Sequence, residues 1–165
     1  MPVPFFGFRV IYEELATREW RGVEGSLPAL KYADKAKILS ALAHPFASAG
    51  GEDLYPTVPA KAAAMFRGLV KNHGLTDGNK RLAVTTMSTF LLANGWIPVY
   101  TNVQLYRYAL RVARHQGNYP VPAIERWIRR NTRLMAEHDL EILRKQNRRL
   151  ASRGRLMEVA FDSEI

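Results

Sequence analysis

An imidazole and a carboxylate stand four residues apart in the polar stretch His-Gly-Leu-Thr-Asp-Gly-Asn-Lys-Arg, residues 73–81. This stretch is typical of a tight turn that leads into a helix, because residues 82–95 are largely apolar and end on Gly95, a common αL cap. The first turn of a helix has backbone N–H groups without carbonyl partners, which can bind an anion such as phosphate. Lys80 and Arg81 fall in that turn, although a cation there opposes the helix dipole by roughly 0.3–1 kcal/mol. The pattern therefore indicates that an external anion binds at this helix start.

Composition points to an ordinary globular domain. The 165 residues are 47% hydrophobic and 24% charged. Since the chain has no cysteine, it has no disulfide and no thiolate metal site, which fits a cytoplasmic protein. We expect no signal peptide, because the N-terminal residues lack a basic region and a cleavage site. Residues 82–106 carry no charge, but Pro98 and several threonines interrupt them, so we expect a core helix and no membrane partner.

The formal net charge of +9 would suit an acidic partner. The excess is concentrated in residues 129–155, which hold nine basic and three acidic residues, a net charge of +6. A basic helix exposed to solvent is the simplest interpretation. An acidic protein partner comes second. A nucleic acid is the least favoured, because we find no helix-turn-helix signature and no zinc-finger spacing.

Apolar spacing predicts an all-α domain with one small β-flap. Predicted helices cover residues 11–19, 32–43, 59–72, 82–95, 102–116, 122–131 and 132–152. The expected inward positions are Ala36, Leu39 and Ala43 in the second helix, and Ala62, Phe66, Leu69 and Val70 in the third, whose stripe extends to His73. Asn102 is expected to cap its helix. The glycine pair Gly50-Gly51 between short flanks predicts a hairpin or flexible flap.

The motif, the helix before it and the flap upstream resemble the Fic/Doc (Fido) family. The resemblance is closer to the Doc (death-on-curing) branch, which carries Asn-Lys-Arg where the adenylyl-transferring branch carries Asn-Gly-Arg. It covers roughly residues 39–131. It implies a Fic/Doc-type helical bundle with a small β-hairpin flap. The catalytic domain would then comprise residues 1–131, and residues 132–165 would form a basic C-terminal helix and tail packed on the same domain.

The resemblance implies roles for two residues of the motif in chemistry. His73 would be the general base that takes the proton from a hydroxyl on a target protein. Asp77 would hold Mg²⁺ that bridges the phosphates of ATP or another nucleoside triphosphate, because a hard cation prefers oxygen ligands. As an alternative or an additional role, the Asp77 side chain would cap the helix.

Phosphate binding is implied for the rest of the motif. Gly78 would let the backbone approach a phosphate, and Asn79 would donate its side-chain amide to a phosphate oxygen. Lys80 and Arg81 would neutralise charge on the nucleotide. Alternatively, one of these two cations would pair with an acidic residue of the flap, Asp53 or Glu52.

The flap, through Gly51, Leu54 and Tyr55, resembles the element that clamps the backbone of the target by edge pairing. Alternatively, Tyr55 packs into the core. The chain also lacks a Ser/Thr followed four residues later by Glu and then Gly or Asn, which marks the built-in inhibitory helix of many members. A separate antitoxin protein is therefore the implied regulator.

Three positions depart from the usual pattern. Leu75 stands where an aromatic is usual, so we expect a looser anchor for the loop. Gly74 replaces a common proline and is expected to add backbone freedom. Val84 stands where the adenylyl-transferring branch has a second arginine. Together with Lys80, this change favours the Doc-like mode.

The implied activity is transfer of a phosphate to a hydroxyl side chain of a target protein, with the translation factor elongation factor Tu as the family's known kind of target. The first alternative is protein adenylyl transfer (AMPylation). The second is a catalytically idle, basic nucleic-acid-binding protein.

Overall fold

The structure is a computed structural model that describes residues 33–142 and 145. The predicted helix over residues 11–19 and most of the basic segment after residue 142 lie outside the described residues. The chain divides into two compact units, residues 1–133 and residues 134–165. The site and its supporting helices belong to the first unit. In the second unit, residues 137–142 are helical, and the Ala136 N–H donates to Asp139 Oδ2 at 2.8 Å.

The described residues form an all-α fold with two small β-pairs, which confirms the predicted fold class. In chain order the elements are α1 (Lys35–Ala43), a 3₁₀ turn (His44–Phe46), β1 (Ser48–Ala49), β2 (Glu52–Asp53), α2 (Val58–Lys71), α3 (Asn79–Ala93), β3 (Trp96–Pro98), α4 (Asn102–Arg114), α5 (Val121–Arg130) and β4 (Thr132–Leu134). β1 pairs with β2 as an antiparallel hairpin, and β3 pairs with β4.

Helix α2 is the centre of the bundle, since it packs against α1, α3, α4 and α5. Its predicted inward stripe of Ala62, Phe66, Leu69 and Val70 is fully buried, as the amphipathic spacing requires. Gly68 allows a close approach to α1, because a Cβ there would lie 2.9 Å from Ala41 Cβ. The result is a tightly packed support for the loop that follows α2.

Side-chain caps mark the starts of α2 and α4. Thr57 Oγ1 accepts the Ala60 N–H at the start of α2. At the start of α4 the cap is Thr101, not Asn102 as predicted. Thr101 Oγ1 accepts the Gln104 N–H at 3.2 Å, and the Gln104 side chain accepts the Thr101 N–H at 2.8 Å. This reciprocal capping box satisfies two orphan donors, which a cap at the next residue would leave unpaired.

Two further predictions about the helices are wrong. In α1 the buried residues are Ile38, Ala41 and Leu42, while the predicted positions Ala36, Leu39 and Ala43 are exposed. The last predicted helix does not begin at residue 132, because Thr132–Leu134 pair with β3 as a strand.

No helix among the described residues is both long and apolar enough to cross a membrane. The uncharged stretch 82–106 instead divides into most of α3, the short β3 and the start of α4.

Candidate functional site

The site loop, residues 72–78, joins the end of α2 to the start of α3. Asn72 is the C-cap of α2, and its N–H donates to Gly68 O. His73 then takes φ +48°, in the left-handed region that non-glycine residues rarely occupy. This turn ends the helical path, so the His73 side chain is exposed and does not continue the buried stripe of α2, as was predicted. An exposed imidazole is accessible to an incoming substrate.

Gly74 fixes the loop against α1. Its carbonyl accepts the Asp34 N–H at 2.8 Å, directly before α1 begins. A Cβ at this position would lie 2.6 Å from Ile38 Cγ1, closer than real contacts allow. The glycine therefore permits close packing and does not add freedom beside the histidine, contrary to expectation.

Leu75 and Asn79 brace the other half of the loop. The Leu75 side chain is buried in the core. The Leu75 N–H donates to Asn79 Oδ1 at 2.9 Å, and Asn79 Nδ2 donates to Leu75 O at 2.7 Å. Asn79 is only 8% exposed. This contact gives the Asn79 amide a structural role, while its predicted donation to a phosphate stays a prediction.

The start of α3 is open to an anion. Its N-cap is Gly78 with φ +86° and ψ 2°, a left-handed conformation that suits glycine, and no side chain caps the helix. The Leu82 N–H donates to Gly78 O at 2.9 Å, as the first hydrogen bond of the helix. The N–H groups of Asn79 and Lys80 come before this bond, so they have no carbonyl partner within the helix. Asp77 Oδ1 accepts the N–H of the adjacent Gly78 at 2.5 Å. Because Gly78 precedes the first helical residue, this bond does not cap α3, and the predicted cap by Asp77 is wrong.

Charge at this helix start is mainly positive. There is no acidic residue in the first turn of α3. The Arg81 side chain is buried, and its Nη2 lies 3.3 Å from Asp77 Oδ2, whereas the Asp77 side chain is 72% exposed. Lys80 is half-buried and has no ion-pair partner among the described residues. The two cations and the first-turn N–H groups can therefore bind a phosphate.

One of the two expected alternative partners in the flap, Asp53, is already paired. Asp53 Oδ2 lies 2.6 Å from Lys61 Nζ on α2, so Lys61 and not Lys80 or Arg81 neutralises it. Lys61 also lies 5.3 Å from the centroid of the Phe46 ring. The sequence did not indicate Lys61 as the partner of Asp53, because the two residues belong to different elements.

The flap is the predicted hairpin. Ser48 pairs with Asp53 and Ala49 with Glu52, and the turn residues Gly50 and Gly51 have φ of +61° and +86°. Positive φ at both central positions is characteristic of a two-residue type I′ turn.

The flap ends in two side chains with different surroundings. Leu54 is exposed, and its N–H donates to Ala47 O. Tyr55 packs at the edge of the core, with its hydroxyl 2.9 Å from His44 Nε2. The position of Tyr55 thus fits the alternative in which this side chain packs against the core. Docking of a target by Gly51, Leu54 and Tyr55 stays a prediction.

Asp77 is the candidate metal ligand. Within the described residues no group of three or more His, Asp or Glu side chains could hold a metal by itself. Mg²⁺ in nucleotide sites is commonly bound by one or two carboxylates together with phosphates and water. The exposed Asp77 carboxylate, next to a helix start that favours phosphate, fits that donor set.

Comparison with known proteins shows the family of this chain. A sequence model of the Fic/DOC family matches residues 8–91, about half of the chain, including the flap, α2, the site loop and most of α3. The chain belongs to the Fic/DOC family. It is also similar to Toxin Doc of Mycolicibacterium smegmatis (strain ATCC 700084 / mc(2)155), with 46% identity over 66 residues. The match covers 40% of this chain and 51% of that relative, so the chain spans about half the length of the curated relative it matches. No solved structure matches the chain.

In this Fic/DOC chain, sequence reasoning located the motif but missed its supports. The structure places His73, Asp77 and the Gly78–Arg81 run together around the start of α3. It separately shows that Asp34 holds Gly74. The sequence could have indicated Asp34 only as the N-cap of α1. Its hydrogen bond to Gly74 is not visible in the sequence.

Proposed function

We propose that this chain is a Doc-like toxin that transfers the γ-phosphate of ATP, or of another nucleoside triphosphate, to a hydroxyl side chain of a target protein. The resemblance to the family suggests a translation elongation factor as the target. The supporting observation is the exposed His73, held in a left-handed turn that leads directly to a cationic, uncapped helix start. The similarity to a protein named Toxin Doc supports the same proposal.

In the proposed reaction, a ring nitrogen of His73 takes the proton from the target hydroxyl. The hydroxyl oxygen then forms a bond to the γ-phosphorus while the bond from that phosphorus to the bridging oxygen breaks, and the nucleoside diphosphate leaves. Asp77 would hold Mg²⁺ with the phosphates, where the ion supplies charge neutralisation.

The rest of the motif would align the nucleotide. The N–H groups at the start of α3, with Lys80 and Arg81, would bind phosphate oxygens, and Gly78 leaves room for them. Arg81 already lies 3.3 Å from Asp77, so the residue that would bind phosphate and the residue that would hold the metal are next to each other. Phosphoryl transfer depends mostly on positioning and charge neutralisation, which this constellation can supply.

A toxin of this kind needs a regulator. We propose a separate antitoxin protein, since the sequence lacks the inhibitory helix motif of other family members and the relative is named a toxin.

The decisive experiment compares labelling of a purified bacterial elongation factor by γ-labelled and α-labelled ATP in the presence of Mg²⁺. We expect label from the γ-phosphate only. His73→Ala should lower the labelling rate about a hundredfold or more, since it removes the base. Asp77→Asn should lower the labelling rate by a similar factor, because the neutral amide binds Mg²⁺ poorly.

The matched control is His115→Ala, because His115 is an exposed histidine beyond the end of α4 and outside the site loop. It should label the target at the wild-type rate. Label from α-labelled nucleotide alone would replace the proposal with adenylyl transfer. Equal loss in the His115 and His73 variants would contradict the assigned base.

A further inference from the structure

Helices α4 and α5 carry a group of exposed arginines that the proposed transfer reaction does not use. We call this group the arginine face. Its members are Arg107, Arg111, Arg114, Arg126, Arg129 and Arg130. The one acidic residue of the two helices, Glu125, accepts from Arg129 Nη2 at 2.8 Å. The other five guanidinium groups have no ion-pair partner among the described residues.

The two helices that carry these arginines meet through an aromatic pair. The Tyr108 ring of α4 stacks on Trp127 of α5 with centroids 4.3 Å apart and planes 7° apart. Burial is the main cause that raises the pKa of the Tyr108 hydroxyl, and the neighbouring Tyr119 raises it further. The positive charges of Arg111 and Arg126 act in the opposite direction. One arginine from each helix therefore lies within electrostatic reach of the same hydroxyl. Around this ring pair, Arg111 of α4 and Arg126 of α5 therefore belong to the same part of the surface.

The arginine face lacks the apolar centre of a protein interface. Large hydrophobic side chains exposed on α4 and α5 are Val103 and Tyr106, which both precede Arg107, and none is exposed from residue 107 to residue 130. Protein–protein interfaces usually bury an apolar core and are depleted in charge there. Nucleic-acid interfaces are more polar and much more positive. The composition of the surface therefore favours a polynucleotide over an acidic protein.

The residue types favour an unpaired strand. Every cation of the surface is arginine, whose planar fork binds phosphate in a bidentate manner and stacks on bases. Arg107, Arg111 and Arg114 follow one another along α4 over about 10 Å, at 1.5 Å per residue. The neighbouring Tyr106 ring is 38% exposed. An exposed aromatic ring can stack on a base only when that base is not held inside a duplex.

We infer that the arginine face binds a single-stranded polynucleotide, with phosphates at Arg107, Arg111, Arg114 and Arg126 and a base against Tyr106. This surface is built by α4 and α5, whereas the site loop lies between α2 and α3. The surface therefore does not include the site loop, so RNA binding and the transfer reaction can be measured separately.

The test measures fluorescence anisotropy of a labelled RNA of about twelve nucleotides, a length within the usual site size, titrated with the full chain. The double substitution Arg111→Gln with Arg126→Gln should raise the Kd at about 0.1 M salt about tenfold or more. It should also reduce the slope of log K against log salt concentration by about 1.4, or 0.7 for each lost contact to a single strand. Tyr106→Leu should raise the Kd about fivefold with no change of slope.

The control is Lys35→Gln with Lys37→Gln, which removes the same formal charge from two exposed positions of α1, where Lys37 pairs with Asp34 and Lys35 has no ion-pair partner among the described residues. It should change the Kd less than about twofold, since charges beyond about 10 Å are screened at this salt. Thermal unfolding of each variant checks that the fold is intact. His73→Ala should bind RNA like the wild type, so loss of the transfer reaction and loss of RNA binding are distinguishable.

Three results would each overturn the inference. The first is an equal effect of the arginine and lysine pairs, which would mean that net charge alone acts. The second is displacement of the RNA by polyglutamate at an equal charge concentration, which would assign the surface to an acidic protein. The third is equal or tighter binding of duplex DNA of the same length.

Discussion

The two glycine-containing connections on either side of α2 differ in what their glycines do. In the flap, Gly50 and Gly51 need only a positive φ, since no atom lies within 4 Å of where a Cβ would be at either position. In the site loop, Gly74 is required by contact, because a Cβ there would overlap Ile38. The flap is therefore held mainly by its turn, whereas the site loop is held by the packed helices around it.

Their side-chain contacts show the same difference. The flap is attached to α2 by the Lys61–Asp53 ion pair, in which the Asp53 side chain is half exposed. The site loop is closed by two buried hydrogen bonds between Leu75 and Asn79. The packed site loop suits the proposed role of His73 as proton acceptor, which requires fixed positioning, and the less constrained flap suits its proposed role in docking a target.

The largest effect is expected from Asn79→Ala. This substitution leaves the buried N–H and carbonyl of Leu75 without partners, which should lower the free energy of unfolding by about 3 kcal/mol. Urea denaturation measures it. Asn72→Ala is the control, because the Asn72 amide donates one exposed hydrogen bond of 3.3 Å to Lys37 O, and its removal should cost about 0.5 kcal/mol. Lost labelling with unchanged stability in Asn79→Ala would instead support the predicted phosphate contact.

A smaller effect is expected from Gly74→Ala. It should lower the free energy of unfolding by about 2 kcal/mol, because the new methyl group must displace Ile38 or the loop. Ile38→Ala makes room for it, so the double variant should be more stable than the sum of the single effects predicts. Additive effects of the two substitutions would show that the loop is not packed against α1 as described. Phosphate transfer should fall in Gly74→Ala and partly recover in the double variant.

The helices were predictable where one face is clearly apolar. The spacing of Ala62, Phe66, Leu69 and Val70 identified the inward stripe of α2, because the charged residues of that helix, Lys61, Arg67 and Lys71, fall on its other side. In α1, the sequence KAKILSALA has apolar residues around most of its circumference, so periodicity could not select the buried face. Packing against α2 made that choice.

The chemical motif was predictable, but its supports were not. The adjacent His73, Asp77 and Gly78–Arg81 lie in one continuous segment, and a local pattern can identify them. The contact between Gly74 and Ile38 joins two elements, and only the folded chain brings them together. Strand β4 was missed for the same reason, because its partner β3 is separated from it by α4 and α5.

The smallest effect is expected in the flap, from Gly51→Ala. An alanine at φ +86° meets no neighbour, so the cost is the left-handed conformation alone, about 1 kcal/mol. Gly51→Asn should cost less, because asparagine tolerates this conformation better. Hydrogen exchange at the amides of β1 and β2 should report the change, with the amides of the site loop unaffected. If Gly51→Ala loosened the site loop as much as Gly74→Ala does, the two connections would not be independent, and the contrast between a turn-held flap and a packed loop would be wrong.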